Sequence, residues 1–238
     1  MSQLVLVRHG QAAAFTADSD RLTELGERQA RALGRWLAER GTRLDEVHVG
    51  TLRRQRDTAS LVGEALHGAG LPFPEPRENE GWNEYDAGGI NGRLGRALAE
   101  RDASYAALVR DFEAKAGAPD RNRYFQRMFE ALMERWVSGE AQDQGVESFA
   151  AFHARVRAAR DAILAQDGGR NVMVFTSGGP VGVCVQLALQ APERMAVQIN
   201  WRVRNGSMTE MVFGKDRLSL DSFNAIPHLD AKELQSFR

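Results

Sequence analysis

The feature that most constrains this chain is Leu4-Val5-Leu6-Val7, four consecutive apolar residues that stop at Arg8-His9-Gly10. A short, partly β-branched apolar run of this kind reads as a buried strand. Asn171 to Thr176 reads the same way and is the strongest strand of the chain. Val47 to Gly50 is a shorter one, and Met208 to Phe213 with Arg217 to Leu220 form a hairpin turning at Gly214-Lys215-Asp216. Helical spacing lies between the strands. Leu22 to Arg40 puts Leu25, Leu33, Trp36 and Leu37 on one stripe, with Thr23 as N-cap and Gly41 as terminator. Leu52 to His67 and Ser148 to Ala165 are further helices, and another is expected to start at Pro180. Strands alternating with helices imply an α/β fold, a sandwich around a mostly parallel sheet.

The texture changes in the middle of the chain. Residues 70 to 92 carry Pro72, Pro74, Pro76, Gly88, Gly89 and Gly92, which marks a long irregular connection. Arg93 to Val137 is polar, arginine-rich and helical, broken at Gly117-Ala118-Pro119. The expectation is one domain over residues 1–238 with a helical lid insertion at about 93–145. With 238 residues, 43% of them hydrophobic, the chain can bury a full core.

Composition also excludes some functions. A net charge of -1 argues against binding nucleic acid, which draws on a basic excess. No apolar run approaches the roughly 20 residues of a membrane span, and the first residues lack the pattern of a secretory leader, so a cytoplasmic protein is expected. Cys184 is the one cysteine, which allows neither an internal disulfide nor a cysteine zinc cluster and suggests a buried thiol.

Ligands of open α/β sheets bind beyond the carboxyl ends of the strands. Three stretches fall there: Arg8-His9-Gly10, Thr51-Leu52-Arg53-Arg54, and Thr176-Ser177-Gly178-Gly179-Pro180. Arginine offers a planar fork of donors matched to phosphate oxygens. Ser177-Gly178-Gly179 before a helix start supplies backbone N–H groups at the positive end of a helix dipole. A histidine among these groups could attack phosphorus, and neighbouring arginines would keep its ring neutral. Gly10 is expected to leave room for the phosphoryl group. Against this stands a plainer alternative: a lone histidine after a strand is more often structural, and Arg53 and Arg56 read as solvated helix charges. No metal or cofactor is expected, since the strand ends offer arginines, histidine and serine rather than clustered carboxylates.

Three stretches in order narrow the choice. Val5-Leu6-Val7-Arg8-His9-Gly10-Gln11, then Leu22-Thr23-Glu24-Leu25-Gly26-Glu27-Arg28-Gln29-Ala30, then Leu52-Arg53-Arg54-Gln55-Arg56-Asp57-Thr58-Ala59 closely resemble successive motifs of the histidine phosphatase superfamily, the phosphoglycerate mutase-like family. The resemblance covers most of the chain outside residues 93 to 145. It implies a three-layer α/β/α sandwich, His9 as the phosphate-accepting nucleophile and Arg8 and Arg54 as phosphate clamps. It also matches Glu84 to the acidic residue that protonates the leaving group, with Glu78, Glu80 and Asp86 as the competing candidates. Family members usually carry a second histidine where this chain has Ser177, which with Gly178 is then expected to contact phosphate. Losing one well-placed transition-state donor costs on the order of 3 kcal/mol, so activity is expected to be reduced rather than abolished. His48, His67 and His153 lie within or near regular elements; His228 alone lies in a tail able to reach the site, and a surface histidine is its plainer reading.

The function expected is hydrolysis of small phosphate monoesters through a phosphohistidine on His9. The alternatives are phosphoglycerate mutase-type transfer and a catalytically weak, phosphate-ligand or protein-binding member of the family. Tyr85-Asp86-Ala87-Gly88-Gly89 lacks the Arg-His-Tyr-Gly type segment that follows the glutamate in the mutases. Some of the arginines between 93 and 140 could meet a second anionic group on the substrate, although a solvated amphipathic surface is the plainer reading. Tyr124, Phe125 and Phe129 either pack that segment down or form a homo-oligomer contact.

Overall fold

The computed structural model describes residues 2–13, 20–166, 168–214 and 217–237. Lys215 and Asp216 of the expected hairpin turn and Asp167 lie outside the described residues. The chain divides into two units, Met1–Glu84 with Arg155–Arg238, and Tyr85–Ala154.

The first unit is built on a six-stranded sheet. Its strands are β1 (Ser2–Arg8), β2 (Glu46–Val49), β3 (Arg77–Glu78), β4 (Asn171–Thr176), β5 (Met208–Gly214) and β6 (Arg217–Ala225). Their spatial order is β3-β2-β4-β1-β5-β6. The pairs among the first four are parallel, and β5 and β6 close one edge antiparallel. β4 coincides with its expected span, and the mostly parallel α/β sheet is as expected. β1 and β4 are buried on both faces, which is why they read as unbroken apolar runs.

Helices α1 (Glu24–Glu39) and α2 (Arg53–Gly68) place Leu33, Leu37, Ala59, Val62 and Leu66 against Val5, Val7, Val47, Val49, Met173 and Phe175. Thr23 caps α1 as expected, its Oγ1 accepting from Gly26 N at 3.1 Å. The alternate strand residues Leu4, Leu6, Val172 and Val174 point to the other face and are equally buried. That side carries α8 (Gly178–Ala188), whose Val181, Val183, Cys184 and Val185 are buried, and α9 (Arg194–Asn200), which packs on α8. Cys184 is a free, buried thiol, pushed up to about 12 by desolvation.

Two expectations need correction. α8 starts at Gly178 with Ser177 as N-cap, so Pro180 is the third helical residue rather than the first. The change costs nothing locally, because the first helical N–H groups have no intrahelical acceptor and proline lacks one. Nor is the stretch 70–92 irregular throughout: β3, a 3₁₀ turn at Glu80–Trp82 and α3 (Ala87–Gly89) are set within it. Fully buried Trp82 anchors this turn, and Asn79 Oδ1 caps it by accepting from Gly81 N at 2.8 Å.

The second unit is helical. α3 runs through a π-helical turn, Ile90–Leu94, into α4 (Gly95–Arg101), followed by α5 (Ala103–Glu113) and α6 (Arg121–Ser138). α7 (Phe149–Leu164) begins in this unit and ends in the first. Tyr85, Trp136, Phe149 and Phe152 form an aromatic core with neighbouring rings 5.2–5.5 Å apart. Phe125 stacks on Phe129 and meets Phe112, so these rings join α6 to α5. Several of the cations have partners within the unit: Arg93 pairs with Asp143, Arg135 with Asp102 and Lys115 with Asp120, while Arg101 donates to Glu140 O. Among the described residues no helix is long and apolar enough to cross a membrane.

Candidate active site

The parallel register sets the site. Arg8 pairs with Thr176 across β1 and β4, so the two strands end together and release His9 and Ser177 side by side. His9 N donates to Thr176 O at 2.9 Å, which carries the pairing one residue further. α2 begins after the neighbouring strand β2 and brings Arg54 to the same crevice.

His9 is 6% exposed. Its Nδ1 lies 2.7 Å from Gly10 O, which can only accept, and Arg54 Nε, which can only donate, lies 3.0 Å from its Nε2. The partners therefore fix the tautomer: hydrogen on Nδ1, lone pair on Nε2. Burial, then the charges of Arg54 and Arg8, hold the imidazolium well below its ordinary 6.5. The ring is neutral at neutral pH.

Arg54 is held in turn by Asp20, which accepts from Arg54 Nη1 at 2.7 Å and, through its other oxygen, from Arg53 N at 2.7 Å. One carboxylate thus serves the arginine and the start of α2. Thr58 Oγ1 accepts from Gly10 N at 3.1 Å and donates to Arg54 O at 2.7 Å, tying the His9 turn to α2. Arg8 directs Nη1 to the carbonyl oxygens of Val203 and Phe237.

Glu84 stands at the opening of α8. Both its carboxylate oxygens lie 3.1 Å from Gly179 N. Arg155 steadies the segment before it, with Nη1 donating to Asn83 O at 2.8 Å and Nη2 to Glu84 O at 3.3 Å. The turn expected to bind phosphate through its amides therefore spends the Gly179 amide on Glu84. Ser177 is fully buried and accepts from Gln55 Nε2 at 2.8 Å. Gly178 is closely approached by Asn200, whose Oδ1 lies 2.1 Å from where a Cβ would be.

Packing also requires a glycine at position 10. A Cβ there would lie 2.3 Å from Gly26 O, and one on Gly26 would lie 2.1 Å from Gln11 O. The two glycines let the His9 turn and the first turn of α1 touch backbone to backbone.

His228 is not a surface residue: it is 7% exposed, packs against Trp36 with ring centroids 6.3 Å apart, and is brought down to about 4 chiefly by desolvation. The structure thus brings together His9 and Arg54, places Ser177 beside His9, and sets Glu84 on the start of α8. Asp20, Gln55, Thr58 and Arg155 join them without having been singled out from the sequence; Asp20 and Arg155 have no local signal there, whereas Gln55 and Thr58 stand one and four residues after Arg54. Among the described residues no group of three or more His, Cys, Asp or Glu is placed to hold a metal ion.

Comparison with known proteins gives the family and the fold. A 2,3-bisphosphoglycerate-dependent phosphoglycerate mutase of Methylorubrum populi is 43% identical over 95 residues, which is 37% of this chain and 43% of that protein. The chain thus spans less than half the length of the curated relatives it matches. Among solved structures, Mycobacterial hydrolase 1 superposes with a TM-score of 0.62 at 25% identity, over 94% of this chain and 98% of that one. A phosphoserine phosphatase mutant from Entamoeba histolytica, in complex with phosphoserine, shares the fold at a TM-score of 0.61 and 17% identity, over 96% and 100% of the two chains. The model of the histidine phosphatase superfamily (branch 1) matches residues 4–138 and 121–226, and the chain belongs to that superfamily.

Proposed function

We propose that the protein hydrolyses small phosphate monoesters through a phosphohistidine on His9, without a metal ion. The observation that carries this reading is the His9 tautomer. Its Nε2 lone pair faces a guanidinium in a buried crevice, while Nδ1 is held by Gly10 O. A phosphoryl group entering between Nε2 and Arg54 exchanges one donor contact for several, since the guanidinium then serves phosphate oxygens.

In the first step Nε2 forms a bond to phosphorus as the ester P–O bond breaks, and the departing oxygen takes a proton from the Glu84 carboxyl. In the second, water attacks phosphorus, Glu84 takes its proton, the P–N bond breaks and neutral His9 returns. Arg54, with Arg8 beside the strand end, balances the charge on the phosphoryl oxygens. Ser177 adds an uncharged donor in the position the family resemblance gives to a histidine, which lowers the rate without removing the nucleophile.

Phosphoglycerate mutase-type transfer is the second reading, favoured by the names of the relatives that match 37% of the chain. It requires the phosphoenzyme to pass its group to a bound acceptor instead of water.

The test is turnover of a chromogenic aryl phosphate without added metal. The expected result is release of inorganic phosphate by the wild type that disappears in His9→Ala. Folded wild type with no turnover on this substrate or on a panel of phosphate monoesters would leave a binding protein and remove His9 from its role. Transfer to phosphoglycerate outpacing hydrolysis would select the mutase reading.

A further inference from the structure

Ser177 occupies the N-cap of α8 in extended conformation, where a serine hydroxyl usually accepts from the amide of the second or third helical residue. Neither bond forms. The third residue is Pro180, which has no N–H, and the second amide, Gly179 N, goes to Glu84. A buried serine relieved of capping on both counts is held from elsewhere in the fold.

It is held by Gln55. Both residues are fully buried. Gln55 Nε2 donates to Ser177 Oγ at 2.8 Å and to Trp82 O at 3.0 Å, and its Oε1 accepts from Leu52 N at 3.3 Å. A Cβ on Gly50 would lie 2.0 Å from that Oε1, so the preceding turn is shaped around the amide. Reversing the amide would set its oxygen against Trp82 O, so the partners fix its orientation. A hydroxyl has one hydrogen. Since Ser177 Oγ accepts from Gln55, its hydrogen is left for an acceptor other than Gln55.

We propose that Gln55 is a positioning residue of the phosphoryl site: it pins Ser177 Oγ as an acceptor so that the hydroxyl hydrogen serves a phosphoryl oxygen beside His9. The assignment rests on the phosphohistidine reading above. It makes one uncharged donor pair from two distant elements, the first turn of α2 and the end of β4. The same amide ties Arg54's helix, through Trp82 O, to the segment that carries Glu84.

The experiment compares kcat and KM on the aryl phosphate, with thermal melts, for wild type, Ser177→Ala, Gln55→Met, Gln55→Glu and the double variant Gln55→Met/Ser177→Ala. Removing a transition-state donor costs about a hundredfold in kcat, the loss expected for Ser177→Ala. Gln55→Glu keeps the side-chain shape but replaces a donor by an acceptor, which turns the serine hydrogen away; it should lose about as much as Ser177→Ala. Gln55→Met should lose about tenfold, and the double variant no more than Ser177→Ala alone, because residues acting through one contact are not additive. KM should change little throughout. Multiplication of the two single losses to about a thousandfold, or near-wild-type kcat in Gln55→Glu, would overturn the proposal. Should Gln55→Met fail to fold, the comparison of Gln55→Glu with Ser177→Ala decides. A wild type without turnover removes the phosphohistidine reading and this assignment together, whereas a wild type whose turnover depends on His9 but whose losses multiply removes this assignment alone.

Discussion

The ends of β1 and β4 lie side by side, and they are built differently. At the end of β1 the chemistry belongs to the strand's own continuation. His9 carries the lone pair, and the turn is fastened by backbone contacts: His9 N on Thr176 O, Gly206 N on the carbonyls of Arg8 and His9, and Gly10 against Gly26. At the end of β4 the residues act as sockets. Ser177 receives Gln55, Gly178 makes space for Asn200, and Gly179 receives Glu84, each from a distant part of the chain. The first end can be read from a tripeptide; the second takes its meaning from what arrives there.

The strongest way to break the comparison is through the charges on the β1 side. Arg54→Ala should lower kcat/KM on an aryl phosphate by about a thousandfold, since it removes a charged donor from the transferring group. Asp20→Asn keeps the arginine but loosens it, and a loss of about tenfold is expected in the same assay. Comparable losses from the two variants would mean that Arg54 contributes only when Asp20 holds it.

Glycines sharpen the contrast in stability. At Gly10 the obstacle to a side chain is a carbonyl oxygen of α1, which cannot move without its helix; at Gly178 it is the side-chain oxygen of Asn200. Gly10→Ala should cost about 3 kcal/mol in denaturant unfolding and Gly178→Ala about 1 kcal/mol. Equal costs would deny that one end is fastened by backbone and the other by side chains. On activity, Glu84→Gln retains an acceptor for Gly179 N but cannot exchange the proton, and a hundredfold fall in kcat is expected, at about the low end for general acid–base groups.

The pH response belongs to the β1 side. Folded His9 resists protonation, first through burial and then through Arg54 and Arg8. The unfolded chain takes up that proton near 6.5, so the stability linked to His9 is complete above that pH and is lost as pH falls toward the lower folded value. For the same reason the acid limb of kcat/KM should lie below 6.5 in the wild type and move upward, part of the way, in Arg54→Gln. A limb that stays in place would contradict the assigned charge effect. The smallest effect is expected from removing the chain from Phe237 onward, which takes away one acceptor of the Arg8 guanidinium and should change KM by about twofold to threefold.

This contrast also explains what was legible beforehand. β1, β4 and α1 announce themselves because apolar runs and the Thr23 cap are local signals; His9 directly follows β1, whereas Arg54 is singled out over Arg53 by the family resemblance. The start of α8 was misplaced because Pro180 normally favours the first helical position, whereas Glu84, satisfying Gly179 N, lets the helix begin two residues earlier. The packing of Gly10 on Gly26 has no local signal, because the two are distant in sequence. The burial of His228 has no local signal, because nothing in Ile226-Pro227-His228-Leu229 tells of Trp36. Asp20, Gln55 and Arg155 act through contacts that span from 34 to 122 residues, beyond the reach of periodicity or capping rules.

The central claim, that His9 carries the phosphoryl group, is tested most directly by trapping it. Enzyme mixed rapidly with aryl phosphate and quenched in strong base should yield one phosphopeptide, the one containing His9, with a label that is stable in base and lost in acid. Turnover that leaves no phosphate on the protein, or leaves it on another residue, would contradict the account.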